Sequence, residues 1–127
     1  MNNRNRILNS IWAPIFMIMV IDLVILPFVP WWGLIFPTFA FGRMYTSGAR
    51  SFLQAGVGST LAWAIMVFFQ YQAGGEIIVR RVSEMMGVSS PWILILITLL
   101  IPMIIGGLAG VSGFMILGRK ARNHAGQ

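Results

Sequence analysis

The sequence predicts an all-α fold, an integral membrane four-helix bundle with an amphipathic connector helix between the third and fourth spans. Three observations lead there. Four apolar stretches, at about 7–26, 28–45, 52–71 and 91–117, occupy most of the 127 residues. Charged residues make up 9% of the chain against 57% hydrophobic, where an ordinary soluble domain carries roughly 25% charged. The cations lie at the ends of the apolar stretches and in the connectors, the arrangement that sets orientation in a bilayer. One transmembrane domain, residues 1–127, is the expected organisation.

The first span follows a basic start, Arg4 and Arg6 among asparagines. Its apolar run continues through Leu26 with no small-x-small cleavage site, which predicts a retained helix rather than a removed signal peptide. Pro27 and Pro30 then remove two backbone donors and disfavour helix in the residues before them, so a turn belongs there.

The second span, 28–45, is the short one. From Phe28 to Gly42 an α-helix covers about 22 Å at 1.5 Å per residue, against a hydrocarbon core of about 30 Å. A re-entrant hairpin is the alternative to a full span. Charge counting favours crossing. With four spans, the N-terminal tail, the connector holding Arg43 and Arg50, and the tail with Arg119, Lys120 and Arg122 share one side. Every cation except Arg80 and Arg81 is then on that side, which the positive-inside rule makes cytoplasmic. With three spans the asymmetry vanishes. Aromatic side chains mark the predicted interfaces, with Trp31, Trp32, Tyr71 and Trp92 outside and Trp12 and Tyr45 inside.

The third span, 52–71, leads to Gly74 and Gly75, where the pattern changes. Over 75–87, Ile77, Ile78, Val82, Met85 and Met86 recur at helical spacing opposite Glu76, Arg80, Arg81 and Glu84. That predicts an amphipathic helix lying in the headgroups or docking on a partner. Gly87 is its stop, and Ser90-Pro91 provides the cap and first-turn proline of the fourth span. Pro102 inside that span breaks one helical hydrogen bond, with Thr98 four residues earlier placed to relieve it.

Small residues four apart let helix backbones touch, which lipid-embedded helices need because no hydrophobic effect drives them together. Gly106, Ala109, Gly110 and Gly113 provide such rows in the fourth span, and Gly56, Thr60 and Ala64 in the third. These seven are the predicted helix-packing residues. The fourth span's glycines cover more of its circumference than one partner requires, so packing on a second subunit stands beside bundling within the chain.

Asp22 is the ionisable residue inside an apolar span. A carboxylate in hydrocarbon is costly unless paired, hydrated or protonated, so Asp22 is the candidate ion-responsive residue. It lies about 7 Å below the outer end of its helix, within range of water or of Arg80 and Arg81 as outer-side partners.

No catalytic, cofactor-binding or metal-binding residues are predicted. The chain has no cysteine, one histidine and three acids, and it carries no zincin, Walker or Ser-His-Asp pattern. An enzyme acting alone is not expected, although an accessory role within a membrane enzyme complex fits. The net charge of +6 lacks the folded basic face that nucleic acid requires, so nucleic acid is not an expected partner.

Pro30-Trp31-Trp32, Ser51-Phe52-Leu53-Gln54-Ala55-Gly56, Gly87-Val88-Ser89-Ser90-Pro91-Trp92 and the glycine-rich last span resemble a group of small prokaryotic four-span membrane proteins. That resemblance implies the topology and carries no activity or functional residue. In length and in one first-helix carboxylate the chain is also similar to small multidrug-resistance transporters, without that family's motif around Asp22.

The function expected is that of a structural or accessory subunit of an oligomeric or multisubunit complex, acting through helix packing. Its partners would be the lipid bilayer and other membrane subunits or copies of itself. It would sit in the cytoplasmic (inner) membrane with both termini cytoplasmic. A small proton- or cation-coupled transporter or channel using Asp22 is the alternative, and a holin-like pore former a further one.

Overall fold

The computed structural model describes residues 3–45 and 47–125, with side chains described for 11–42, 44–45 and 47–118. Arg4, Arg6, Arg43, Arg119, Lys120, Arg122 and His124 therefore have side chains outside the described residues. All described regular structure is helical.

Helix α1, Asn3–Ile25, carries Pro14 inside it and ends at the expected turn, where the amides of Phe28 and Val29 bond to the carbonyl of Ile25 at 2.9 and 3.1 Å. The second apolar segment is not one α-helix over 28–45. It is a 3-10 turn at Trp31–Leu34, a short α2 at Ile35–Ala40 and a second 3-10 turn at Phe41–Met44. Pro37, in the middle, supplies no amide to the helical ladder. The buried hydroxyl of Thr38 bonds back to the carbonyls of Leu34 at 2.8 Å and Ile35 at 3.0 Å. The tighter 3-10 ends, rising about 2 Å per residue, stretch these fourteen residues to about 25 Å.

Helix α3, Gly48–Gln70, starts four residues before the expected position because Ser47 caps it, accepting from the amide of Arg50 at 3.4 Å. A wide turn at Tyr71–Gly75 follows, in which Gly74 takes φ +105°, a conformation that favours glycine. Helix α4, Glu76–Met85, is closed by Gly87 at φ +68°, with Gly87 N–H bonded to Glu84 at 3.2 Å and Val88 N–H to Ser83 at 2.9 Å. Those two bonds are the paired arrangement by which a left-handed glycine ends a helix. Helix α5, Pro91–Ala125, runs beyond the expected end at Leu117, since nothing from Gly118 to Ala125 interrupts it.

The contacts fix how the segments run. Asp22 meets Ser59 and Leu26 packs with Ala62, so α1 and α3 are parallel. Gly56 faces Met103 and Gly110 faces Ser51, so α3 and α5 are antiparallel. Leu26 with Leu34 and Ile18 with Tyr45 make the second segment antiparallel to α1. Direction alternates along the chain.

Two apolar clusters fill the interior. Ile18, Tyr45 and Ala55 pack with Phe41 and Phe114, and Leu26, Leu34 and Ala62 with Met19, Trp63 and Met66. Ser51, Gln54, Ser59, Thr38 and Asp22 are buried among them, while Phe16, Val24, Leu96, Leu100, Ile104 and Leu108 are exposed. Polar groups inside and large apolar groups outside invert the usual order of a soluble domain. Among the described residues, two helical stretches, Gly48–Met85 and Pro91–Gly118, are long and apolar enough to cross a membrane, and Ile11–Ile25 of α1 is a shorter apolar helical stretch.

Candidate functional site

The α1–α3 seam is where the chain's unusual chemistry collects. Gly58 makes the seam possible, because a Cβ there would stand 3.1 Å from the Ile15 carbonyl oxygen and 3.0 Å from the Ile18 side chain. With the backbones that close, a short side chain spans the gap. The Ser59 hydroxyl donates to Oδ2 of Asp22 at 2.8 Å, and both residues are 0% exposed. Oδ1 of Asp22 is buried with no hydrogen-bond partner. Toward the other end of the seam, Gln54 Nε2 donates to the Ile11 carbonyl at 3.1 Å, a second polar clasp between the two helices.

The pairing expected between Asp22 and the outer arginines is replaced by this bond. Arg80 stands 3.8 Å from Glu84 on its own helix, and both Arg80 and Arg81 are exposed. The reason is which face of α4 meets the body: Ser83 is buried and Val79 half-buried, which turns both arginines away. Among the described residues, no group of three or more acids, histidines or cysteines is placed to hold a metal ion.

The small residues of α5 are consumed within the chain. A Cβ on Gly106 would meet the Ser59 hydroxyl at 2.8 Å, one on Gly107 the Phe52 ring at 2.6 Å, and one on Gly110 the Ser51 carbonyl at 2.9 Å. Gly113 faces the Phe39 backbone and packs on Gly42. Ala109 is buried. On α3, Gly56 lies under the Met103 carbonyl, Thr60 bonds its hydroxyl to the Gly56 carbonyl at 2.7 Å, and Ala64 is half-buried. The second partner of α5's glycines is thus the chain's own second segment.

No protein family, curated protein or solved structure matches the chain.

Sequence reasoning set Gly56, Thr60 and Ala64 as the small-residue row of α3 and did not pair the intervening Ser59 with Asp22. It missed Gly58 and Gln54, and it set Tyr45 among the inner interfacial aromatics, whereas the structure buries that ring against Ile18 and Ala55 with its Oη unpartnered. One signal was available: a serine in a small-residue row is the side chain able to satisfy an acid on a facing helix. Near Pro102, the Thr98 hydroxyl bonds to Leu94 O at 2.8 Å, one turn back, rather than relieving the proline's gap. An apolar cavity of about 260 Å³ lies beside Pro102, lined by Trp31, Leu34, Trp63, Ile101, Pro102 and Ile105 among others.

Proposed function

We propose that the chain is an integral membrane protein of four spans, formed by α1, the second segment, α3 and α5. It serves as a structural or accessory subunit of an oligomer or larger complex in the cytoplasmic membrane, through helix packing. The observation that carries the reading is the inverted arrangement of side chains, with Asp22, Gln54 and Ser59 inside and Leu96, Leu100, Ile104, Leu108 and Met115 exposed along α5. Such a surface is stable only against acyl chains or other apolar helices.

The alternating direction of the four segments supports even-numbered crossing and both termini on the cytoplasmic side. The second segment, at about 25 Å, reaches most of the hydrocarbon thickness, and thinning or tilting of neighbours costs fractions of a kcal/mol per Å of mismatch. Tyr71 and Trp92, with ring centroids 6.3 Å apart, join the end of α3 to the start of α5 where an aromatic belt belongs. Because the glycine rows close the bundle itself, contact with other subunits falls to the large apolar side chains of the outer faces.

Native mass spectrometry of the protein extracted gently from its own membrane tests the role. Fixed stoichiometry with other subunits or with copies of itself is the expected result. A monomer carrying lipid alone would overturn the subunit assignment.

A further inference from the structure

We propose that Asp22 and Ser59 form a proton-binding site at the α1–α3 seam, with Oδ1 of Asp22 as the atom that takes the proton and Ser59 holding Oδ2. The geometry points to a proton rather than a metal cation. Oδ1 is buried and unpartnered, while Oδ2 is held at 2.8 Å by the Ser59 hydroxyl. The space beside the carboxyl, walled by Ile25, Leu26, Val29, Pro30, Gly33 and Leu34, has no room for a water-sized sphere. A cation would need several oxygens and space of its own, whereas a proton needs one lone pair.

The groups facing Asp22 leave that lone pair to the proton. From α3 comes Ser59, whose hydroxyl goes to Oδ2, and from α5 comes Gly106 against Ser59; Trp63, one turn beyond Ser59, packs on Leu26, Leu34 and Ala62, and its Nε1 makes no hydrogen bond to Oδ1. From the second segment Tyr45 packs on Ile18 and Ala55, one turn before Asp22 and Ser59 on their helices, and its phenol is a neutral neighbour. The titratable side chains of α4, namely Glu76, Arg80, Arg81 and Glu84, are exposed.

Uptake adds one proton to Oδ1 and removes one unit of negative charge from the seam. Release returns the proton to solvent when the closed space beside the carboxyl opens at its Val29–Pro30 wall, next to the exposed Pro27, Phe28 and Pro30 of the turn that follows α1. Occupancy of the site therefore sets whether α1 and α3 meet across a neutral contact or a charged one.

Asp22 is the chain's one aspartate, so labelling aspartate with 13C at the side-chain carboxyl isolates the site in the unsubstituted protein. In lipid nanodiscs, the single carboxyl resonance is followed through a pH series with and without Na+. The expected result is one transition between protonated and ionised positions, unchanged by Na+, whose midpoint moves by about one pH unit, equivalent to about 1.4 kcal/mol, in Ser59→Ala. Ser59→Thr, which keeps the hydroxyl, should leave the midpoint in place, and Ser59→Cys, whose thiol is only a weak donor, replaces Ser59→Ala as the shifted variant if that one does not fold. A resonance fixed in either form throughout the series, or one displaced by Na+ at constant pH, would overturn the proposal.

Discussion

Ser59 reaches Asp22 across the gap between α1 and α3 because Gly58, its neighbour in sequence, lets the two backbones close to contact distance. Removing the hydroxyl leaves both carboxyl oxygens without a protein partner, beside a space with no room for a water-sized sphere. A buried polar group stripped of its partner costs about 1–3 kcal/mol, although interhelical bonds in membranes average nearer about 0.6 kcal/mol. Ser59→Ala should therefore lower stability by about 1–2 kcal/mol in reversible unfolding with SDS. A change within error would show that the bond contributes nothing to the bundle.

The α5 glycines differ in what a methyl group would meet. At Gly113 a Cβ runs into the Phe39 backbone, which cannot rotate away, whereas at Gly118 its nearest neighbour is the Phe114 ring at 3.5 Å. Gly113→Ala should cost about 1–3 kcal/mol, as overpacking does. Gly118→Ala should be tolerated or mildly stabilising, since alanine favours helix by about 1 kcal/mol over glycine. Equal effects at the two positions in the same SDS titration would contradict the packing assigned to α5.

How far the sequence foretold this arrangement depends on the range of the physics involved. Local backbone chemistry was legible: the turn at Pro27–Pro30, the stop at Gly87 and the start at Pro91 all stand where prolines and glycines put them. The small-residue rows of α3 and α5 pointed to close backbone approach, but which side chain answers which depends on helix rotation. Rotation of α4 turned Arg80 and Arg81 away from Asp22, and no single periodic pattern encodes that rotation. The second segment departed from a plain helix because Pro37, Gly33 and Gly42 act together, with backbone and hydroxyl adjustments that hydropathy does not register.

Gly87 closes α4 at φ +68°, and a Cβ placed on it would have nothing within 4 Å, so its requirement is purely conformational. Substitution by alanine should cost about 1 kcal/mol for the left-handed backbone. Gly87→Asn should cost less, because asparagine visits that region. Matching losses for the two variants in the SDS titration would place the demand elsewhere.

On α4 the apolar side is free: Met85 is 88% exposed and Ile78 66%. Against a bilayer that side should enter the headgroup–acyl boundary while Glu84 stays in water. An environment-sensitive fluorophore on a cysteine at Met85 should emit at shorter wavelength in vesicles than one at Glu84, in a chain with no other cysteine. Identical spectra would contradict an interfacial α4.

Four crossings require above all that the second segment pass through the bilayer. Reporters fused to the N-terminus and the C-terminus in cells read this directly. Both on the cytoplasmic side is the result predicted; reporters on opposite sides would mean that the Trp31–Met44 segment turns back and that the chain crosses an odd number of times.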